Sequence, residues 1–122
     1  MPLDRFFDGE QDVVTARSSW DDPQGAWVAC KGGNPESSHA QLDAGSFEFE
    51  VGGVRWVEDL GRDNYNMPNF FRRDLEGHWG YYRNLNHSHN TLVIDGALQD
   101  VKAHCDVVRV ASTDDYAAAI VD

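Results

Sequence analysis

The chain has 122 residues, enough for one hydrophobic core, and its 41% hydrophobic and 25% charged content suits a globular protein rather than a disordered one. A net charge of −11 disfavours nucleic acid and anionic membranes as partners. No apolar run approaches the roughly 20 residues of a membrane-spanning helix, and the N-terminal stretch lacks the basic start and apolar middle of a signal peptide.

In chain order, residues 1–11 read as irregular and residues 12–122 as one domain. Asp12 to Ser19 has the composition of a first strand, followed by a turn at Asp21–Gly25 and a second strand over Ala26–Lys31. Cys30 and Cys105 are too few for a disulfide framework; two free core thiols and a single bridge are both open. A polar loop over 32–38 then leads into the segment HAQLDAGSFEFEVGGVRWVEDLG, residues 39–61. Here Phe47, Phe49 and Val51 alternate with Ser46, Glu48 and Glu50, the period of a half-buried strand. Gly52-Gly53 supplies a tight hairpin turn. The implied register sets Phe49 against Trp56, Val51 against Val54, Glu50 against Arg55 and Asp59 against Ser46.

Residues 60–88 form a long polar stretch rich in aromatics and arginine, of the kind that carries function or meets a partner surface. Strands are expected to resume over Asn90–Ile94, then, past a turn at Asp95-Gly96, over Gln99–Lys102, Cys105–Ala111 and Asp115–Val121. No helical apolar period of useful length occurs, so the expected fold is all-β, an antiparallel β-sandwich. The last strand runs almost to Asp122, which suggests a piece of a larger protein whose open sheet edges invite pairing, including homo-oligomerisation.

Two polar clusters stand out. The hairpin brings Asp59 near Asp43, Gln41 and His39, while Asn86-His87-Ser88-His89-Asn90 precedes the expected strand at residue 91. Imidazole and carboxylate together suit a divalent ion, with zinc favoured by nitrogen ligands. The plainer alternative makes His39 and His89 polar residues that cap strands. Asp43 is expected to accept backbone N–H groups at the Ala44-Gly45 bend. His78 and His104 lack evident partners and are expected at the surface, and His87 is a reserve ligand.

The segment 39–65, followed by Tyr81-Tyr82-Arg83 and then HNTLVIDG from His89, closely resembles the C-terminal region of the heparinase II/III-like polysaccharide lyases. The resemblance covers roughly residues 12–122. It implies a β-sandwich joined in the whole enzyme to an N-terminal α/α-toroid, and cleavage of uronate-containing glycans by β-elimination. By position it implies that His39 faces the active site and assists catalysis, with Asp59 and His89 as metal ligands. Gln41 stands where many relatives carry a second ligating histidine. A glutamine oxygen is a poorer zinc ligand, so weak binding, calcium or manganese in place of zinc, and an empty site are all open. Tyr65 joins His39 as a catalytic candidate, and Arg72, Arg73 and Arg83 are candidates for lining the path of an acidic polysaccharide. The toroid supplies most of the acid/base chemistry in this family, so the chain alone is expected to lack efficient activity. Periplasmic or secreted placement follows from the family alone. The competing expectation is a non-catalytic carbohydrate-binding or structural β-sandwich module.

Overall fold

The computed structural model describes residues 1–122 as an all-β chain without an α-helix. Five strands make one antiparallel sheet in chain order: β1 (Arg5–Phe7), β2 (Val13–Arg17), β3 (Trp27–Lys31), β4 (Phe47–Val51) and β5 (Val54–Val57). A second, two-stranded sheet pairs β6 (Val107–Ser112) with β7 (Ala117–Val121). No helix is long and apolar enough to cross a membrane.

The alternation of β2 sends Val14 and Ala16 into the core, where Ala40, Leu42, Phe70, Trp79 and Val107 complete the buried apolar set. Asp12, at the head of β2, is buried and ties the two sheets together. Its backbone oxygen accepts from Gly32 N at 2.9 Å, and its Oδ2 accepts from Val107 N at 3.0 Å. Beside it, Gly33 and Cys105 exchange backbone bonds of 2.7 and 2.9 Å. Gly33 also passes close to Ala44, an approach that needs glycine, because a Cβ on Gly33 would sit 2.6 Å from the Cβ of Ala44.

The hairpin forms at the expected turn, with Gly52 and Gly53 at φ +66° and +69°. Glu50 pairs with Arg55 and Val51 with Val54 as expected. Beyond them the register shifts, and Phe49 faces Val57 instead of Trp56. Trp56 is the extra residue of this bulge, swung into solvent with its indole N–H donating to Val51 O at 3.3 Å.

Three further expectations are corrected. Residues 5–7 are not irregular: they pair with β2 from Arg5↔Thr15 to Phe7↔Val13, using its outer backbone edge. Asn90–Ile94 and Gln99–Lys102 are not strands. Asn90 O accepts from Phe47 N at 3.3 Å, but Thr91 and Gln99 then meet the chain through side chains instead of a backbone ladder: Ala44 N donates to Gln99 Oε1 at 3.1 Å, and Ala44 O accepts from the side chains of Gln99 and Thr91. Leu92 and Ile94 consequently remain exposed beside a groove of about 630 Å³. The turn expected at Asp95-Gly96 does form. Finally, the stretch 60–88 is a folded loop that contributes to the core. Its three 3-10 turns, His78–Gly80, Tyr82–Asn84 and Asn86–Ser88, bury His78, Trp79, Asn84 and Asn86 together with Phe70.

Candidate active site

Two groups of side chains form where the 39–42 segment, the end of the hairpin and the 60–89 loop meet. The first is buried. Asp59, just past β5, accepts a hydrogen bond from Gly61 N on Oδ1 and places Oδ2 2.6 Å from His89 Nδ1. The His89 side chain is fully buried, and its Nε2 has no partner. The hairpin and the His89 turn therefore do bring these two expected partners together. A carboxylate on Nδ1 fixes the ring orientation and leaves Nε2 as the open nitrogen.

Gln41 has a different occupation. Its amide Nε2 donates to Arg83 O at 2.9 Å and to Asn84 Oδ1 at 3.3 Å, holding the 39–42 segment against the loop. A cation of this type needs three or more converging protein donors. Here Asp59 Oδ2 is committed to His89 Nδ1, and no group of three His, Cys, Asp or Glu side chains able to hold a metal occurs. Of the three expected donors, Asp59 and His89 lie together, while the Gln41 amide nitrogen is engaged with Arg83 and Asn84.

The second group is exposed. His39 adopts a left-handed backbone conformation, φ +59°, which is unusual for a residue with a Cβ and is held only where neighbouring structure enforces it. The enforcing bonds follow directly in the chain: Ala40 O lies 2.7 Å from His78 Nε2, and Leu42 N donates to Asn84 O at 2.9 Å. Thus anchored, the His39 imidazole stacks on Tyr65 at 5.4 Å between centroids and meets the edge of Phe71 at 5.9 Å. Tyr65 also packs on Phe70, and the Arg62 guanidinium lies 5.0 Å over its ring. His39 and Tyr65, the two catalytic candidates, therefore share one surface, whereas the buried His89 pairs with the half-buried Asp59.

The three arginines expected along a substrate path are all engaged within the chain. Arg72 pairs with Asp74 at 2.7 Å and Glu76 at 2.5 Å, which raises its pKa further. Arg73 donates to Pro35 O at 2.5 Å and to Ser37 O, and Arg83 donates to Leu60 O at 2.9 Å. Asp43 does not serve the Ala44-Gly45 bend; its Oδ2 holds Lys31 Nζ at 2.8 Å, where β3 passes alongside. His87 is exposed, with Nε2 3.2 Å from Gly96 O, and His104 is an exposed partner of Asp106. Both cysteines are free and half-buried. Burial raises the Cys30 thiol pKa; burial, then the charges of Asp106 and Asp122, raise that of Cys105.

His78 is a correction of a different kind. It is buried, with Nδ1 2.9 Å from Phe70 O and Nε2 2.7 Å from Ala40 O. A neutral ring donates to one carbonyl, and a doubly protonated ring donates to both. Asn84, fully buried, donates to His78 O at 2.9 Å. Nothing in the local pattern of EGHWG separates His78 from a surface histidine; only the folding of the loop over Ala40 does so.

The heparinase II/III-like C-terminal family matches this chain over residues 14–114. The chain belongs to that family. Its two antiparallel sheets accord with the β-sandwich of the heparinase II/III-like C-terminal domain. A search of curated proteins gives no match.

Proposed function

We propose that this heparinase II/III-like domain forms one wall of a lyase site that cleaves uronate-containing polysaccharides by β-elimination. In that reaction a base takes the proton at C5, α to the uronate carboxylate. The C–H electrons form the C4=C5 double bond, the C4–O bond breaks, and an acid protonates the departing oxygen. Charge develops on the carboxylate as an enolate-like anion and needs a facing cation. His39 and Tyr65 bring an imidazole and a phenol to one exposed surface, and another domain, the toroid by family resemblance, completes the acid/base set. The observation that carries the reading is the conformation of His39: an exposed imidazole in a left-handed backbone, clamped from below by His78 and Asn84. Strain retained at an exposed polar residue is a feature of functional sites.

The test is the ultraviolet absorbance of the unsaturated uronate product from alginate, heparan sulfate and hyaluronan, with the toroid domain present. His39→Ala is expected to lower the rate by about 10²–10⁴-fold, the usual contribution of a proton-transfer group. An unchanged rate removes His39 from the mechanism. Binding without product from any of the three glycans favours a non-catalytic carbohydrate-binding module.

A further inference from the structure

We infer that Arg62 is the residue that receives the uronate carboxylate at this surface, and so sets the preference for acidic over neutral sugars; the inference rests on the lyase reading above. The 60–88 loop holds four arginines, and three of them are spent inside the chain. Arg72 is closed by two carboxylates, Arg73 by two backbone carbonyls, and Arg83 by Leu60 O with Asp63 at 4.0 Å. Arg62 makes only one long bond, 3.4 Å to the carbonyl of its neighbour Asp63, and no ion pair within 4.0 Å.

Its position is as telling as its freedom. The guanidinium is exposed and lies 5.0 Å over the ring of Tyr65, which also stacks with His39 at 5.4 Å and packs on Phe70 and Phe71. Guanidinium and imidazole thus both lie against the ring of Tyr65. Contact with an aromatic ring steadies the guanidinium plane without using its N–H donors. A planar fork with free donors matches a carboxylate in two parallel bonds, which a neutral hydroxymethyl group cannot reproduce. The Tyr65 hydroxyl also makes no bond within the chain, unlike those of Tyr81 and Tyr82, which donate to Pro68 O and His87 O. Its proton and lone pairs stay available beside the carboxylate position. In a chain of net charge −11, this one unpaired cation beside the candidate base gives an acidic sugar a local point of attachment.

The experiment is calorimetric titration of the chain with tetrasaccharides of alginate, heparan sulfate and hyaluronan, each beside its carboxyl-reduced counterpart. Circular dichroism confirms that the variants are folded. At least one acidic tetrasaccharide is expected to bind, and its reduced form to bind at least about tenfold more weakly. Arg62→Ala is expected to remove at least about tenfold of the affinity for the acidic form, while Arg72→Ala leaves it unchanged. Equal binding by wild type and Arg62→Ala overturns the inference, as does equal binding of acidic and reduced sugars, equal loss in Arg72→Ala, or no binding to any acidic form. None of these results touches the lyase reading, which the His39-dependent product assay decides separately.

Discussion

His39 and His78 are joined through one carbonyl, that of Ala40, yet the fold treats them in opposite ways. His39 stands in solvent with a left-handed backbone, its ring against those of Tyr65 and Phe71. His78 is buried, and both ring nitrogens face backbone carbonyls. His89 differs from both: it is buried, with Asp59 on Nδ1, but its Nε2 has no partner. The difference teaches where to look for chemistry in this chain. A buried ring whose bonds are filled positions the backbone, and an exposed ring held in a costly conformation is free to act on something else.

That contrast can be broken by substitution. The largest stability effect is expected at His78: His78→Ala leaves two buried carbonyls and a cavity, a loss of about 3 kcal/mol in urea unfolding. His39→Ala in the same assay is expected to change stability by less than about 0.5 kcal/mol, the range of surface substitutions. Equal losses at the two positions end the division between a positioning and an acting histidine. Asp59→Ala comes next, at about 1–2 kcal/mol, because it strips the buried His89 Nδ1 of its partner. Restoration of most of this loss by Asp59→Asn, measured by the same unfolding curve, sharpens the assignment to a hydrogen bond rather than to charge.

The smallest effect concerns the thiols. Cys30 and Cys105 ionise less readily in the folded chain than at their ordinary value of 9.0. As pH rises past that value the unfolded chain gives up its thiol protons first, so this contribution to stability is complete below pH 9.0 and falls above it. Alkylation by iodoacetamide near pH 8 is expected to be at least about threefold slower in the folded chain than in urea. Equal rates contradict the burial of both thiols.

Two segments with the same local pattern show why part of the fold was legible and part was not. Phe47–Val51 and Asn90–Ile94 both read as strands, with β-branched or aromatic residues beside turn residues. The first lies between β3 and β5 and becomes β4. The second makes one backbone bond, from Phe47 N to Asn90 O, then turns the Thr91 hydroxyl onto Ala44 O and stays irregular. Strand propensity expresses a fit to neighbours, so composition alone does not decide whether a segment pairs. The site divides similarly. Asp59 and His89 were legible because hairpin geometry and motif spacing both led to them. Arg72, Arg73 and Arg83 were legible only as charge, and their partners, from Asp74 and Glu76 to the carbonyls of Pro35 and Leu60, depend on how the loop folds back.

By itself, the order of residues determined the all-β character, the Gly52-Gly53 turn, the Glu50–Arg55 match and the meeting of a carboxylate with an imidazole. The first three follow from short-range geometry, where period, turn chemistry and charge act over a few residues; the last, across 30 residues, was legible from the motifs and the family they resemble. Tertiary structure alone decided that His78 is buried, that Gln41 is tied to Arg83 and Asn84, and that Arg62 is the loop arginine left unpaired. Each of those outcomes depends on which distant backbone groups fill a side chain's hydrogen bonds, and no local pattern encodes that.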